Sequence, residues 1–526
     1  MKSTTSRFNT GNIFSGLLLL VMLSACASLP ENVDRQPSTA FTDTANTALG
    51  ESIKDDIAEH PGLSGFHLLS RGLDAFAARA MLAYTAELSI DAQYYLFHND
   101  LVGNLFLDAL LKAADRGVRV RLLVDDMTLD DDKDIGMAAF DAHPQVEVRV
   151  FNPFVRKSSR LTQILTRFDD VTRRMHNKSF SVDNQFTVIG GRNIGNEYFE
   201  ADPDLAFGDL DVLAIGPVVA DVSNSFDLYW NSSISYPIST LLGSDEPSKD
   251  LARLRSALFE YVEQQRNSEY LQALGNSDLI TRLKNDTFEF DWGEGLVLYD
   301  DPAKVKAKRD QTDLHLSTQL KTHSTNAKRE LIIFSPYFIP GREGVANFET
   351  LRAQGVRVRI LTNSLGSTDV SAVHAGYSKY RGYLLRAGVE LYEIDKSLNK
   401  QQRKQKKGSS GSSKASLHAK SFVIDRERVF IGSMNLDPRS VVENTEIGMV
   451  IQSTDIAVEM SEWFDQYIDQ IAFRLALETD KNGNEILVWH RSIDGVDQRF
   501  TTEPNTGFWR RFGVGFLRLL PIEWLL

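Results

Sequence analysis

Three features are scarce in this sequence of 526 residues, and each scarcity excludes a class of protein. Cys26 is the only cysteine, so no intramolecular disulfide can form. Basic residues are outnumbered, with 58 Lys and Arg against 71 Asp and Glu, and the net charge of -13 offers no general attraction to nucleic acid. The apolar run at 13–23 is too short to span a bilayer comfortably. We therefore expect neither a disulfide framework nor a nucleic-acid partner.

The N-terminal residues 1–25 have the pattern of a bacterial lipoprotein signal peptide. Lys2 and Arg7 precede the apolar run, which ends in LSAC, a sequence that resembles a lipobox. Cleavage before Cys26 would leave a lipidated N-terminus, which would anchor the mature protein to a membrane and face it toward the periplasm. Ala27 favours the outer membrane, with the inner membrane as an alternative. Cys26 could also be a spacer in an ordinary signal peptide or in an uncleaved anchor.

The rest of the chain is long enough for two lobes, because single hydrophobic cores stop growing at about 250 to 300 residues. Residues 26–60 lack apolar periodicity and are predicted to form a tether, followed by an N-terminal lobe at 61–245. Helical and strand patterns then alternate, which is typical of an α/β fold. A charged helical connector is predicted at 246–285 and a C-terminal lobe at 286–526.

A repeated stretch of sequence indicates that the two lobes are duplicates. AADRGVRVRLLVDD at 113–126 returns as LRAQGVRVRILTNS at 351–364. Two further pairs of residues are separated by nearly the same number of residues as these two stretches, Tyr94 with Tyr337 and His176 with His418. The sequence therefore predicts two similar halves packed face to face.

Two segments of the C-terminal lobe depart from ordinary globular composition. The loop at 396–416 is basic and then rich in Gly and Ser, which predicts either a solvated loop or a contact for anionic lipid head groups. The C-terminal tail at 507–526 is amphipathic and rich in aromatic residues. We expect the tail either to insert into a membrane interface or to dock on the core of the lobe.

The strongest functional signal is the motif H-x-K-x4-D, which occurs once in each half. Residues two apart on a strand face the same way, so the histidine and the lysine of each copy should project together toward one site. The motif residues are His176, Lys178 and Asp183 in the first half and His418, Lys420 and Asp425 in the second.

Four polar residues that end the two motifs and their returning strands have different expected roles. Asp183 and Asp425 fall where the chain turns before the next strand, and their position favours shaping of the turn over chemistry. Asn193 and Asn435 each lie seventeen residues after their histidine, on a strand that returns beside the His-Lys face. The asparagines are therefore expected at the site.

The duplicated motif, followed by Gly-Gly or Gly-Ser and then Asn, resembles the phospholipase D superfamily. The resemblance implies two lobes, each a mixed β-sheet flanked by helices, with one active site at their interface and neither a metal ion nor another cofactor. It also places both motif aspartates among the catalytic residues. The residues implied to surround the substrate phosphate are His176, Lys178, Asn193, His418, Lys420 and Asn435.

The chemistry of a phosphodiester fits this set of side chains. Attack requires neutralised charge on the non-bridging oxygens, a nucleophile, and an acid for the leaving oxygen. By likeness to the family, His176 is the nucleophile, and His418 is first general acid and then general base, with the reverse assignment as an alternative. A histidine nucleophile needs a carboxylate on its other nitrogen, and Asp211 and Glu446 occupy the places where the family has one. Asp209 is a possible substitute for Asp211.

A closer resemblance, to the C-type bacterial cardiolipin synthases, rests on segments from both halves. They include GLDAFAARAML, DAQYYLFHND, RRMHNKSF, GGRNIGNEYF, TNSLGSTDVSAVHAGY and PIEWLL. The resemblance implies a phosphatidyltransferase that joins two phospholipids, with phosphatidylglycerol as acceptor and phosphatidylethanolamine as a candidate donor. His374 and Tyr377 are candidate pocket residues. The alternatives are a hydrolase that releases phosphatidic acid and, from other classes, a nuclease or a membrane-binding scaffold.

Overall fold

The computed structural model describes residues 28–32, 35–129, 131–156, 158–202, 206–242, 250–324, 327–396, 415–493 and 496–520. The signal peptide with Cys26, most of the basic loop, and the last six residues of the tail lie outside these ranges. The strands are β1 Ser64–Leu69, β2 Ser89–Tyr94, β3 Arg119–Asp125, β4 Val146–Phe151, β5 Ser179–Val182, β6 Phe186–Gly190, β7 Ala206–Gly208, β8 Asp211–Ile215, β9 Ser235–Pro237, β10 Asp291–Tyr299, β11 Glu330–Phe334, β12 Arg357–Asn363, β13 Glu390–Ile394, β14 Ala415–Leu417, β15 Ser421–Ile424, β16 Arg428–Gly432, β17 Ile447–Gln452, β18 Ala472–Thr479, β19 Glu485–Ile493 and β20 Val496–Phe500.

Helices cover the two faces of the strands. In the first half they are Ala48–Ser52, Lys54–Glu59, Gly72–Thr85, Leu101–Asp115, Asp131–Asp141, Arg160–Thr166, Phe168–Val171, Pro217–Trp230 and Ile238–Leu242. In the second they are Leu251–Gln265, Glu269–Gly275, Asp278–Lys284, Leu316–Ser324, Gly341–Ala353, Ser371–Ser378, Arg381–Arg386, Thr454–Ile471 and Phe508–Arg518.

The two halves have the same sheet topology. In the first, the strand order is β9-β4-β3-β2-β5-β6-β8-β1, with β2, β3 and β4 parallel. In the second it is β18-β13-β12-β11-β15-β16-β17-β10, with β11, β12 and β13 parallel, and β19 and β20 extend the edge. The matching orders confirm the predicted α/β fold of two similar lobes, each with a mixed sheet flanked by helices.

The two sheets are joined into one. β1 pairs with β8 on one side and, through Ser64 opposite Gly293, with β10 on the other. A shared hydrophobic core lies between the lobes, in which Phe66 and Val212 of the first half pack with Ile447 and Met449 of the second. This burial, which is the dominant favourable term in folding, holds the lobes together as one body.

Residues 35–60 differ from the predicted tether, since they pack on the N-terminal lobe. The side chain of Arg121 donates to the carbonyl of Ser38 at 2.9 Å, and Thr47 caps the helix Ala48–Ser52. Leu49 and Ile53 are buried in the core of that lobe. Leu49 and Ile53 have the i, i+4 spacing of one helix face, but a single such pair is too short a pattern to predict a helix, and the two side chains still give the segment enough buried surface to dock.

The helices at 251–284 also pack on the N-terminal lobe, with Leu258 and Leu279 in its core. The backbone N–H of Leu279 donates to Asp74 at 2.9 Å. The division of the chain at the predicted boundaries stays a prediction. Among the residues that the structure describes, no helix is both long and apolar enough to cross a membrane.

Candidate active site

Each H-x-K motif is held by a strand contact with the opposite lobe. Met175 forms a β-bridge with Thr445, and the N–H of His176 donates to the carbonyl of Thr445 at 2.8 Å. In the second motif, β14 pairs with β7, and the N–H of His418 donates to the carbonyl of Gly208 at 2.8 Å. The two histidines are therefore brought to one buried place at the lobe interface.

His176 takes its carboxylate from the other lobe. Its Nδ1 lies 2.8 Å from Oε2 and 3.1 Å from Oε1 of Glu446, which is fully buried. The hydroxyl of Ser433 donates to the same Oε2 at 2.5 Å. Glu446 thus fixes the ring of His176 and leaves its Nε2 for chemistry.

His418 is paired with Asp209, and not with the predicted Asp211. Nδ1 of His418 lies 2.5 Å from Oδ2 of Asp209, which belongs to the first lobe. Asp211 instead accepts from Nη2 of Arg79 at 2.8 Å and lies 3.5 Å from Nη1 of Arg192. Asp211 therefore stabilises buried arginines of the N-terminal lobe, and the histidine–carboxylate pairs are crossed between lobes.

The strand register explains why Asp209 is the counterpart of Glu446. Gly190 on β6 faces Asp211 on β8, whereas Gly432 on β16 faces Gly448 on β17. Asp209 and Glu446 each lie two residues before these matching positions, so they project the same way. The distances of 33 and 28 residues to their own motif histidines differ because the first half has a longer loop before β8.

The two lysines lie against the histidines. Nζ of Lys178 donates to the carbonyl of His176 at 2.5 Å, and Nζ of Lys420 donates to that of His418 at 2.5 Å. Burial lowers the pKa of Lys178 to about 7, opposed by Glu446 and helped by Lys420. Burial likewise lowers the pKa of Lys420 to about 8, opposed by Asp209 and Glu446. Burial thus leaves the two lysines only partly protonated at neutral pH. Together they form a cradle for an anion, whose negative charge would raise their pKa again.

The charge states of the pairs follow from the same environment. Burial lowers the pKa of His176 to about 4, although Glu446 pulls it upward. Burial and Lys420 lower the pKa of His418, against the pull of Asp209. Burial alone would raise the pKa of Asp209, but His418, Lys420 and Arg192 hold it well below its ordinary value. A neutral His176 at neutral pH has the free lone pair that a nucleophile needs.

Asn193 and Asn435 lie just after β6 and β16, as predicted from the returning strands. Asn193 accepts from the N–H of Leu96 at 3.2 Å and donates to the hydroxyl of Tyr198 at 3.0 Å. Among the described residues, no hydrogen-bond partner reaches the buried Oδ1 of Asn435. Both side chains are buried, and Tyr198, to which Asn193 donates, packs against His418.

Asp183 and Asp425 lie at the far ends of β5 and β15, away from the histidines. Asp183 accepts from the N–H groups of Glu87, Leu88 and Ser89 at 2.8 to 2.9 Å. Asp425 accepts from those of 328, 329 and 330 at 2.7 to 3.1 Å. Both have positive φ, 50° and 57°. The structure therefore gives them the turn-shaping role and not the catalytic one implied by the resemblance.

Several residues near the site were not found from the sequence. The ring of Tyr95 packs edge-on against His176 at 4.9 Å between centroids, and that of Tyr198 against His418 at 5.2 Å. Tyr95 lies in the loop after β2 and Tyr198 in a short 3₁₀ helix after β6, and only the duplicated topology places them beside the histidines. His374, a predicted pocket residue, lies 2.6 Å from a guanidinium nitrogen of Arg381, and Tyr377 packs against its ring.

One group of side chains among the described residues has the spacing for a metal ion. Ligand atoms of His98, Asp100 and Glu197 lie within 4.8 Å of one another. Asp100 already accepts from the N–H groups of Gly103 and Asn196, at 2.9 and 2.8 Å. These bonds account for the aspartate as the cap of the helix Leu101–Asp115.

Comparison with known proteins agrees with this arrangement. A family model described as "Cardiolipin synthase, PLD-like domain" matches twice, at 82–230 and 320–468. Cardiolipin synthase C of Escherichia coli is 42% identical over 475 residues, which cover 89% of this chain and 98% of that protein. An uncharacterized protein of Helicobacter pylori is 32% identical over 514 residues, or 97% of this chain and 99% of its own length.

A solved structure has a similar fold. Phosphatidylserine synthase of Haemophilus influenzae superposes with a TM-score of 0.54 at 14% identity, covering 81% of this chain and 91% of that one. The likeness extends over both lobes and not only the motif strands. The structure shows a shared fold, and the matches of the family model and of the Escherichia coli protein show that this chain belongs to the cardiolipin synthase family of the phospholipase D superfamily.

Proposed function

We propose that this enzyme, a phosphatidyltransferase of the phospholipase D type, joins two phospholipids into cardiolipin through a phosphohistidine at His176. The observation that supports it most is the crossed pairing of His176 with Glu446 and of His418 with Asp209. It supports the proposal because each imidazole is oriented by a buried carboxylate of the other lobe and has a lysine against it. Such a set provides a nucleophile, an acid–base group and charge neutralisation together.

In the first half-reaction, Nε2 of His176 attacks the phosphorus of the donor lipid. The bond from phosphorus to the head-group oxygen breaks as the P–N bond forms, and His418 in its protonated form donates a proton to the departing oxygen. Lys178 and Lys420 neutralise the non-bridging oxygens, whose negative charge also favours the protonated form of His418. The products are phosphatidyl-His176 and a free head-group alcohol.

In the second half-reaction, a hydroxyl of the acceptor lipid attacks the phosphorus of phosphatidyl-His176. His418 removes the proton of that hydroxyl, the P–N bond breaks, and His176 is regenerated. A difference between the two histidines supports His176 as the nucleophile. Nζ of Lys420 lies 3.1 Å from Nε2 of His418 and competes for the lone pair that this nitrogen would need for attack. We propose phosphatidylglycerol as the acceptor and either phosphatidylglycerol or phosphatidylethanolamine as the donor, with no nucleic acid, metal ion or other cofactor taking part.

The function is tested with the purified chain and defined lipids. We expect vesicles of phosphatidylglycerol to yield cardiolipin and glycerol, and addition of phosphatidylethanolamine to yield ethanolamine as well. Products are measured by mass spectrometry, with the double variant His176→Ala, His418→Ala as the blank. Phosphatidic acid without cardiolipin would make the enzyme a hydrolase and would contradict the proposal.

We further propose that the chain is a lipoprotein of the periplasmic face, acylated on Cys26 after removal of 1–25. The LSAC sequence and the single cysteine support this. Membrane-isolated protein is expected to begin at Cys26 with the added mass of its acyl chains. The Cys26→Ala variant should keep residues 1–25 and lack that mass. An intact, unacylated N-terminus in the unchanged chain would contradict the proposal.

A further inference from the structure

The helix Phe508–Arg518 presents its apolar side to solvent. Five large apolar side chains of the helix and its C-cap are 59% to 81% exposed, whereas Val514, on the opposite side, is only 7% exposed. At 3.6 residues per turn, the exposed side chains fall within an arc of about 100°. We call them the aromatic face; its members are Phe508, Trp509, Phe512, Phe516 and Leu519.

This orientation is opposite to that of an ordinary surface helix, whose apolar side meets the core. Here Val514 and Leu517 pack with Leu365 and Ala375, near the helix Ser371–Ser378. The arginine on the same side turns inward too, since Nη2 of Arg510 donates to the carbonyl of Thr368 at 2.8 Å. An apolar side that turns away from its own protein while Arg510 turns inward fits an apolar partner outside the molecule.

Residues just before the helix in the chain make buried polar contacts that fix it in place. Glu503 accepts from Nη1 of Arg381 at 2.6 Å and lies 3.2 Å from Nε2 of His374. Asn505 donates to Asp395 at 2.6 Å. The aromatic face therefore belongs to a docked element with a defined direction and not to a loosely attached end.

The same helix adjoins the active site. Thr368, which accepts from Arg510, is followed by Asp369, and Asp369 accepts from the hydroxyl of Tyr337 at 2.6 Å. The carboxylate of Asp369 is also close enough to favour the charged form of Lys420. Only one loop thus separates the aromatic face from the phosphate cradle.

A second apolar patch occupies the equivalent place on the N-terminal lobe. Asp125 and Asn363 end the matching strands β3 and β12, and each accepts from the backbone N–H just before a motif histidine, at 2.9 Å. Beyond Asp125, Arg160 donates to the carbonyl of Met127 at 2.7 Å and holds the helix Arg160–Thr166 there. In that helix Leu161 and Leu165 are 68% and 76% exposed. Apolar side chains therefore flank the site on both lobes.

We propose that the aromatic face inserts into the interface of the bilayer that holds the substrates, with Leu161 and Leu165 as a second contact, so that the active site opens onto the lipid surface. The proposal rests on the proposed function for its choice of bilayer. Aromatic side chains with nearby arginines favour an anionic membrane interface. In this position a phospholipid would reach the lysines without leaving the bilayer completely.

Depth measurements test the contact directly. In the full chain with Cys26→Ala, a single cysteine at Phe516→Cys is labelled with the fluorophore NBD and mixed with vesicles of phosphatidylethanolamine and phosphatidylglycerol. We expect a blue-shifted emission that spin-labelled lipids quench at least twofold. The matched position is Phe259→Cys. Phe259 is 65% exposed, and its helix, Leu251–Gln265, lies outside the proposed contact. Equal quenching at both positions would overturn the proposal, as would a blue shift without vesicles that accompanies dimer formation.

Activity on vesicles and on soluble lipids distinguishes a failure of this proposal from a failure of the proposed function. The variant Phe512→Ser, Phe516→Ser should lose about tenfold in activity on vesicles and stay within twofold on soluble short-chain lipids, which shows that it folds. The matched variant Leu228→Ser, Phe259→Ser should keep both activities. Equal activity of the two variants on vesicles would overturn the membrane contact. If the unchanged chain shows neither activity, the proposed function is refuted instead.

Discussion

Replacing His176 by alanine is expected to lower phosphatidyl transfer by about three orders of magnitude or more, because it removes the atom that bonds to phosphorus. The fold should be retained, since the backbone N–H of residue 176 still pairs with the carbonyl of Thr445. The variant His490→Ala, whose histidine pairs with Glu478 on the outer strands, is the matched control and should keep full activity. Transfer is measured as cardiolipin formed, and stability as the midpoint of thermal unfolding.

A donor with a nitrophenyl leaving group separates the roles of the two histidines. Nitrophenolate departs without a proton, so the first half-reaction no longer needs a general acid. We expect His418→Ala to release about one nitrophenolate per chain in a burst and then stall as phosphatidyl-His176. His176→Ala should give no burst. The reverse pattern would assign the nucleophile to His418.

The charge states at the site also predict the pH dependence of kcat/KM for a soluble lipid. His176 must be neutral to attack, so kcat/KM should fall as the pH drops toward its pKa of about 4. His418 must be protonated to act as the general acid, and Lys178 and Lys420 must be protonated to bind the phosphate. Burial lowers the pKa of all three, so kcat/KM should also fall as the pH rises, first as His418 loses its proton and further through about 7 to 8 as the lysines lose theirs. A profile that stays flat to pH 9 would contradict the role of the lysines.

The sequence was sufficient to predict the duplicated α/β fold and the motif residues, because period-two strands and a repeated motif are local signals. It could not show which carboxylate meets which histidine, since that contact crosses the lobes. The resemblance to the family favoured Asp211, with Asp209 as a possible substitute, and only the register of β8 against β6 shows that Asp209 matches Glu446.

A similar shift affects the pairing of Tyr94 with Tyr337. The bridges of Phe97 with Ile194 and of Phe338 with Leu436 align the two halves differently, so that Tyr337 corresponds to Leu96. Repeats in sequence give the approximate offset, and insertions in loops change it by a few residues from one element to the next. Contacts between elements are needed to correct it.

The crossed pairing predicts different effects for two aspartates that are two residues apart, a loss of turnover for one and a loss of stability for the other. Asp209→Asn should lower kcat by about 10² to 10⁴, because an amide cannot hold the imidazolium of His418 in place. Its cost in stability should be small, since an unpaired histidine can shed its proton. Asp211→Asn leaves the guanidinium of Arg79 buried and charged, and should lower the free energy of unfolding by about 3 to 5 kcal/mol.

The nitrophenyl donor tests this assignment further. If Asp209 acts through the acid His418, its replacement should no longer slow the first half-reaction of a donor that needs no acid, and the burst of Asp209→Asn should approach the normal rate. Glu446→Gln acts on the nucleophile His176, so its burst should stay slow with either donor. A normal burst in both variants, or a loss of turnover without loss of stability in Asp211→Asn, would contradict the crossed pairs. Selective rescue of Asp209→Asn would establish that each lobe supplies the carboxylate for the histidine of the other, and that neither lobe can complete the site alone.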